Sequence, residues 1–129
     1  MIVRTLEEVQ AAGNEVKSDG WISRRYLLKK DGMGFSFHET IIEEGAKLEM
    51  HYKNHLESVY CAKGEGKITS LATGESWEIK PGTMYALNEN DHHILEGYTE
   101  MTMLCVFNPP VTGQEKHQAD GSYALVEDE

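Results

Sequence analysis

Disulfide chemistry has little to work with in this chain. Only two cysteines occur, Cys61 and Cys105, and no CxxC pair. A disulfide framework is therefore excluded, and two buried free thiols in a reducing compartment are expected. Positive charge is also scarce: 12 Lys and Arg stand against 22 Asp and Glu, a net charge of −10. That is the reverse of the basic stripe a phosphate-backbone binder needs, and it disfavours an anionic membrane surface as partner. No apolar run approaches the ~20 residues of a spanning helix. The opening MIVRTLEEVQ carries Arg4, Glu7 and Glu8 where a signal peptide would have its apolar segment. A soluble cytoplasmic protein is expected. Internal repeats and low-complexity segments are missing too, as is any long helical period.

What remains suits one small β domain. The chain has 129 residues, 40% of them hydrophobic, and a chain of that size buries about two thirds of its unfolded surface, enough for a core or an enclosed pocket. Thr5 followed by Glu8 is a capping-box signature for a short helix ending near Gly13. From Gly20 onward short segments follow one another: WISRRYLL, SFHETII, KLEMHYKNHLESVYCA, GKITSLA, ESWEI, MYALN, HHILEG and EMTMLCVF. Turn signals such as KKDGMG, KGEG, KPGT and NPP separate them. This texture predicts an all-β fold, a sandwich or barrel, with one domain over 1–129. Past Asn108-Pro109-Pro110 the sequence turns polar and ends acidic, so residues 112–129 read as a solvated tail or as a lid folded over the barrel mouth.

The stretch GAKLEMHYKNHLESVYCAKGEG concentrates the chemistry-bearing residues. His51, Lys53, His55 and Glu57 share one parity, so on a continuous strand all four project to one side. The spacing Gly45-x5-His51-x-Lys53-x3-Glu57-x6-Gly64 resembles the first cupin motif, G-x5-H-x-H-x3-E-x6-G, with Lys53 in place of the second histidine. Gly82-x5-Asn88-x-Asn90-x2-His93 lies over the second motif, G-x5-P-x-G-x2-H, with asparagine at the proline and inner glycine. The pair implies a cupin-type jelly-roll β-barrel, whose interior is lined by alternate residues of each strand. Glu57 and His93 then form the natural metal pair. Lys53 has no lone pair to offer, and Tyr85 is a candidate third donor. The alternative is a polar core network of His51, His55 and Glu57, with Lys53 pairing the carboxylate and no metal, as in a non-catalytic small-molecule binder. A cupin dioxygenase or isomerase is a further reading, against which the Lys53 departure counts.

Five segments narrow the resemblance. GWISRR, GFSFHET, HYKNHLESVYC, KPGTMYALN and CVFNPPVTG together resemble the ectoine synthase family, along the chain from about Met1 to Tyr123. That resemblance implies a hydro-lyase that closes N-γ-acetyl-L-2,4-diaminobutyrate into the osmolyte ectoine with loss of water, as a defence against osmotic stress. It also implies Fe(II) held by Glu57, Tyr85 and His93, a substrate pocket inside the barrel, and a head-to-tail homodimer in the cytoplasm. By the same resemblance Trp21, Arg25, Thr40, Tyr52, Cys105 and Phe107 line the substrate pocket, and Glu115 and His117 close it from the tail. The reaction needs an electrophile-polarising cation, a base for the ammonium and an acid for the departing hydroxyl. Tyr52 is the candidate proton-transfer residue, with His55 as supporter or alternative. Tyr52 has the opposite parity to Glu57, so it reaches the same pocket only through a bulge or a strand end.

Overall fold

The structure, a computed structural model, describes residues 1–113. It opens with the expected helix α1 (Leu6–Ala11). Thr5 Oγ1 accepts from the Glu8 amide and the Glu8 carboxylate accepts from the Thr5 amide, so the capping box is complete. Ten strands follow: β1 (Glu15–Ser18), β2 (Trp21–Leu27), β3 (Ser36–Ile42), β4 (Lys47–Met50), β5 (Leu56–Lys63), β6 (Gly66–Ser70), β7 (Ser76–Ile79), β8 (Met84–Leu87), β9 (His93–Gly97) and β10 (Met101–Asn108). They pair antiparallel into a six-stranded sheet, order β1-β2-β3-β10-β5-β8, and a four-stranded sheet, order β4-β9-β6-β7. The architecture is all-β and jelly-roll-like, as expected, but it is two sheets rather than a closed barrel: the described residues give no pairing between β8 and β7.

Alternation builds the core. On β10, Met101, Met103, Cys105 and Phe107 point inward, and on β5 Glu57, Val59 and Cys61 do the same. They meet Ile68, Ile79 and Leu95 from the smaller sheet in one buried cluster. Both cysteines are buried and free. At Gly64 the chain turns with φ +89°, and a Cβ there would stand 2.2 Å from Glu100 O, so only glycine lets the β5–β6 turn pack against the start of β10.

One sequence expectation fails here. The run KLEMHYKNHLESVYCA is not one strand. It breaks into β4 and β5, which belong to different sheets, and residues 51–55 form the loop between them. The four-residue polar face therefore does not exist. Lys53 is exposed on that loop, while His55 and Glu57 are buried. His51 stacks on His92, ring centroids 4.8 Å apart, and His92 Nε2 lies 2.8 Å from Glu49 Oε2. Strand β1, short and polar, had no counterpart in the sequence reading.

Candidate functional site

The inner wall of the larger sheet is a ladder of cross-strand rungs. One rung runs Arg25, His38, Cys105, Val59 and Tyr85 across β2, β3, β10, β5 and β8. The neighbouring rung on the same face carries Ser36, Phe107, Glu57 and Leu87, and on the other side lie Ser23, Thr40, Met103 and Cys61. Residues two apart on a strand share a face, so separated sequence segments deliver their polar side chains to one place.

Between this wall and the smaller sheet lies a cavity of about 40 Å³. That is room for an ion and one or two waters. Glu57, Tyr85, Cys105, Thr40 and Phe107 line it, with Trp21 from the start of β2. Tyr52 lines it as well, and the reason is the strand end the parity argument required: the residue sits on the 51–55 loop, buried, its ring edge-on to Phe107 at 5.2 Å. The apolar remainder includes Leu48, Met50, Val59 and Leu95.

Electrostatics inside the cavity follow from burial. The Glu57 carboxyl is pushed up to about 8, chiefly by desolvation, and the Cys105 thiol bonds it. Lys53, exposed on its loop, is not the group facing that carboxyl. Burial also holds the Tyr85 phenol and the Cys105 thiol well above their ordinary values, and the nearby Glu57 reinforces both. Thr40 Oγ1 lies 3.6 Å from Cys105 Sγ.

His93 stands behind Tyr85 and Tyr52, with ring centroids 6.5 and 6.3 Å from theirs. It borders a larger groove of about 460 Å³, which Tyr85 also lines. Its Nδ1 lies 2.9 Å from Asp91 O, which fixes Nδ1 as the donor and leaves the lone pair on Nε2. That Nε2 is buried with no hydrogen-bond partner among the described residues, and burial lowers the ring's affinity for a proton. A neutral imidazole with a buried lone pair, a buried carboxyl and a buried phenol are the donor chemistry a divalent cation takes up. No group of three or more His, Cys, Asp and Glu side chains able to hold a metal occurs among the described residues.

Three predicted residues fall outside the lining of the inner cavity: His93, which borders the larger groove, Arg25 and His55. Arg25 is buried on β2, paired across the sheet with His38, and His55 is buried against Phe107, edge-on at 5.9 Å. Glu115 and His117, with the rest of the tail from 114, lie outside the described residues. The sequence reading missed Ser23 and His38. Both line the cavity, and Ser23 Oγ and His38 Nε2 are buried without a hydrogen-bond partner among the described residues. Burial and the adjacent Arg25 hold His38 down at about 3, hence neutral. The signal was available: Ser23 shares the parity of Trp21 and Arg25, and His38 that of Thr40.

A two-sheet jelly roll with a cavity between its sheets is a cupin fold. A cupin barrel protein from Salinispora arenicola superposes with a TM-score of 0.66 at 16% identity, covering 83% of this chain and 87% of that one. Closer relatives narrow the class. The family model for ectoine synthase matches residues 1–127. An L-ectoine synthase from Desulfosudis oleivorans is 60% identical over 129 residues, 99% of this chain and all of that one. Another from Hyphomonas neptunium is 62% identical over 125 residues, 95% and 93% of the two chains. The crystal structure of ectoine synthase from P. lautus matches with a TM-score of 0.87 at 45% identity, covering 100% of this chain and 94% of that one. The chain belongs to the ectoine synthase family, and with it to the hydro-lyases of ectoine biosynthesis.

Proposed function

We propose that the inner cavity is the site where N-γ-acetyl-L-2,4-diaminobutyrate closes to ectoine, with Fe(II) held by Glu57, Tyr85 and His93. One observation carries this reading: Glu57 and Tyr85 line one cavity, and the His93 Nε2 lone pair is buried nearby with no hydrogen-bond partner among the described residues. When bound, the cation supplies Lewis acidity, polarising the acetamide carbonyl toward attack. Two carboxyl and phenol donors and one imidazole suit a borderline divalent ion, and the choice of iron follows the family.

The chain's own residues account for the remaining tasks. The α-amino nitrogen attacks the acetamide carbon, forming the ring C–N bond, and the carbonyl oxygen departs as water. The α-ammonium must lose one proton before it attacks and a second as the ring C=N bond forms, and the departing oxygen must gain two to leave as water. That transfer is assigned to Tyr52, a reading its position beside Phe107, His93 and the cavity supports, with His55, also against Phe107, as supporter or alternative. Trp21, Thr40, Cys105 and Phe107 form walls that curl the flexible substrate into attack geometry, an effect worth several kcal/mol. Arg25, with its planar fork, is the partner for the substrate carboxylate. A cavity of about 40 Å³ does not hold the whole substrate, so admission requires its walls to move apart.

The active unit is a head-to-tail homodimer in the cytoplasm, where its product serves against osmotic stress. The test is direct. Protein loaded with Fe(II) is incubated with N-γ-acetyl-L-2,4-diaminobutyrate and followed by proton NMR, and the acetyl methyl resonance is expected to convert to that of the ring product. Fully metallated protein that leaves the substrate unchanged refutes the proposal. Sedimentation at micromolar concentration reads the dimer.

A further inference from the structure

Asn90 occupies the place where the second cupin motif has a glycine, and it adopts the backbone conformation of one. Its φ is +53°, the single positive φ outside glycine among the described residues. Asparagine tolerates that region because its short amide can bond locally. Here the amide bonds across the fold instead. Nδ2 donates to Tyr52 O at 3.0 Å and to His55 O at 3.1 Å. Both partners are carbonyls, so the group between them is necessarily the NH₂ end. These two carbonyls bracket the 51–55 loop, the segment that replaces the strand the sequence suggested. The next residue, Asp91, holds the His93 ring through its backbone carbonyl. Two consecutive residues of one turn thus fix the loop bearing Tyr52 and the imidazole behind it.

We propose that Asn90 is a positioning residue: by clamping both ends of the 51–55 loop to the turn before His93, it holds the Tyr52 ring over the cavity. The inference rests on the proton-transfer role given to Tyr52 above. The loop has no strand pairing of its own to keep it in place, and the segment from Tyr52 to His55 carries no proline or β-branched residue to stiffen it. A glycine at 90 would satisfy the backbone and remove these two bonds from the loop. The amide side chain is therefore the part of this residue that serves the site.

The test uses the full chain loaded with Fe(II). Asn90→Gly keeps the positive φ at no steric cost and removes both donated bonds. It is expected to fold and bind metal like the parent, to exchange the amides of residues 52–56 at least about 10-fold faster, and to lose about 10- to 100-fold in kcat per bound metal with KM within threefold. Asn90→Asp, which keeps size and turn preference but opposes the two carbonyls with an acceptor, is expected to show the same losses and serves where the glycine variant fails to fold. A kcat within twofold of the parent overturns the proposal, as does unchanged amide exchange in the loop or a rise in KM alone. A Tyr52→Phe variant that retains parental kcat refutes the role of Tyr52 instead, and the exchange measurement still decides the clamp.

Discussion

Replacing Phe107 by alanine tests the packing of the site wall most directly. The ring is 2% exposed and touches three others: His38 at 5.2 Å, Tyr52 edge-on at 5.2 Å and His55 edge-on at 5.9 Å. Truncating a buried phenylalanine costs about 3–5 kcal/mol, the spread reflecting how well the hole is relieved. Aromatic pairs of this geometry account for about 0.5–1.5 kcal/mol each within that total. The hole left here opens into an existing cavity of about 40 Å³ that already has Glu57, Thr40 and Cys105 on its walls. Water can enter such a space, which a dry apolar void would not allow. The loss should therefore fall near the lower end, about 3 kcal/mol, equivalent to a drop of about 10 °C in Tm for a chain of this length. Urea unfolding followed by circular dichroism reads it, with m unchanged. A loss under about 1 kcal/mol would mean that the ring is not packed as described. One above about 5 kcal/mol would mean that the cavity stays dry.

Three further outcomes are expected. Glu57→Ala should lose bound iron, measured by elemental analysis, and activity together while circular dichroism still reports the β fold; full activity in that variant would remove Glu57 from the ligand set. Gly64→Ala should cost about 3 kcal/mol or more in urea unfolding, because its Cβ meets the backbone at Glu100 O and Met101 Cα, 2.2 and 2.8 Å away, at φ +89°. Asp31→Asn should cost about 1 kcal/mol, since Arg4 grips that carboxylate with bonds of 2.7 and 2.9 Å. Arg4 holds the folded carboxyl below its ordinary 3.8, so the parent's advantage over the variant is full above pH 4 and fades as pH falls below it; an advantage that persists at pH 2 would deny the ion pair.

The legible part of this fold was the part governed by alternation and turn chemistry. Eight of the quoted segments hold strands because each alternates between faces and ends at Gly, Pro or Asn punctuation. The helix was legible because Thr5 and Glu8 carry their own reciprocal caps. Strand β1, EVKS, was not, because an edge strand of four mostly polar residues has no buried face to imprint a pattern. The break at 51–55 was hidden for a different reason. HYKNH contains neither glycine nor proline, and its parity runs on smoothly from KLEM into LESVYCA. What ends β4 is tertiary: the chain leaves the four-stranded sheet and must cross to the six-stranded one.

That crossing changes the meaning of the motif's altered position. With residues 51–55 on a strand, Lys53 would be a metal ligand lost from an otherwise standard face. On the observed loop Lys53 is exposed and does not line the cavity. In the proposed ligand set the third donor comes from another strand: Tyr85 on β8 lies two pairings from Cys105, on the rung next to Glu57. The same loop brings Tyr52 to the site despite its parity, and Asn90, at one of the second motif's two altered positions, ties that loop down. Of the three departures that weaken the motif match in the sequence, Lys53 and Asn90 thus meet at this one loop, the first lying on it and the second bonding its backbone.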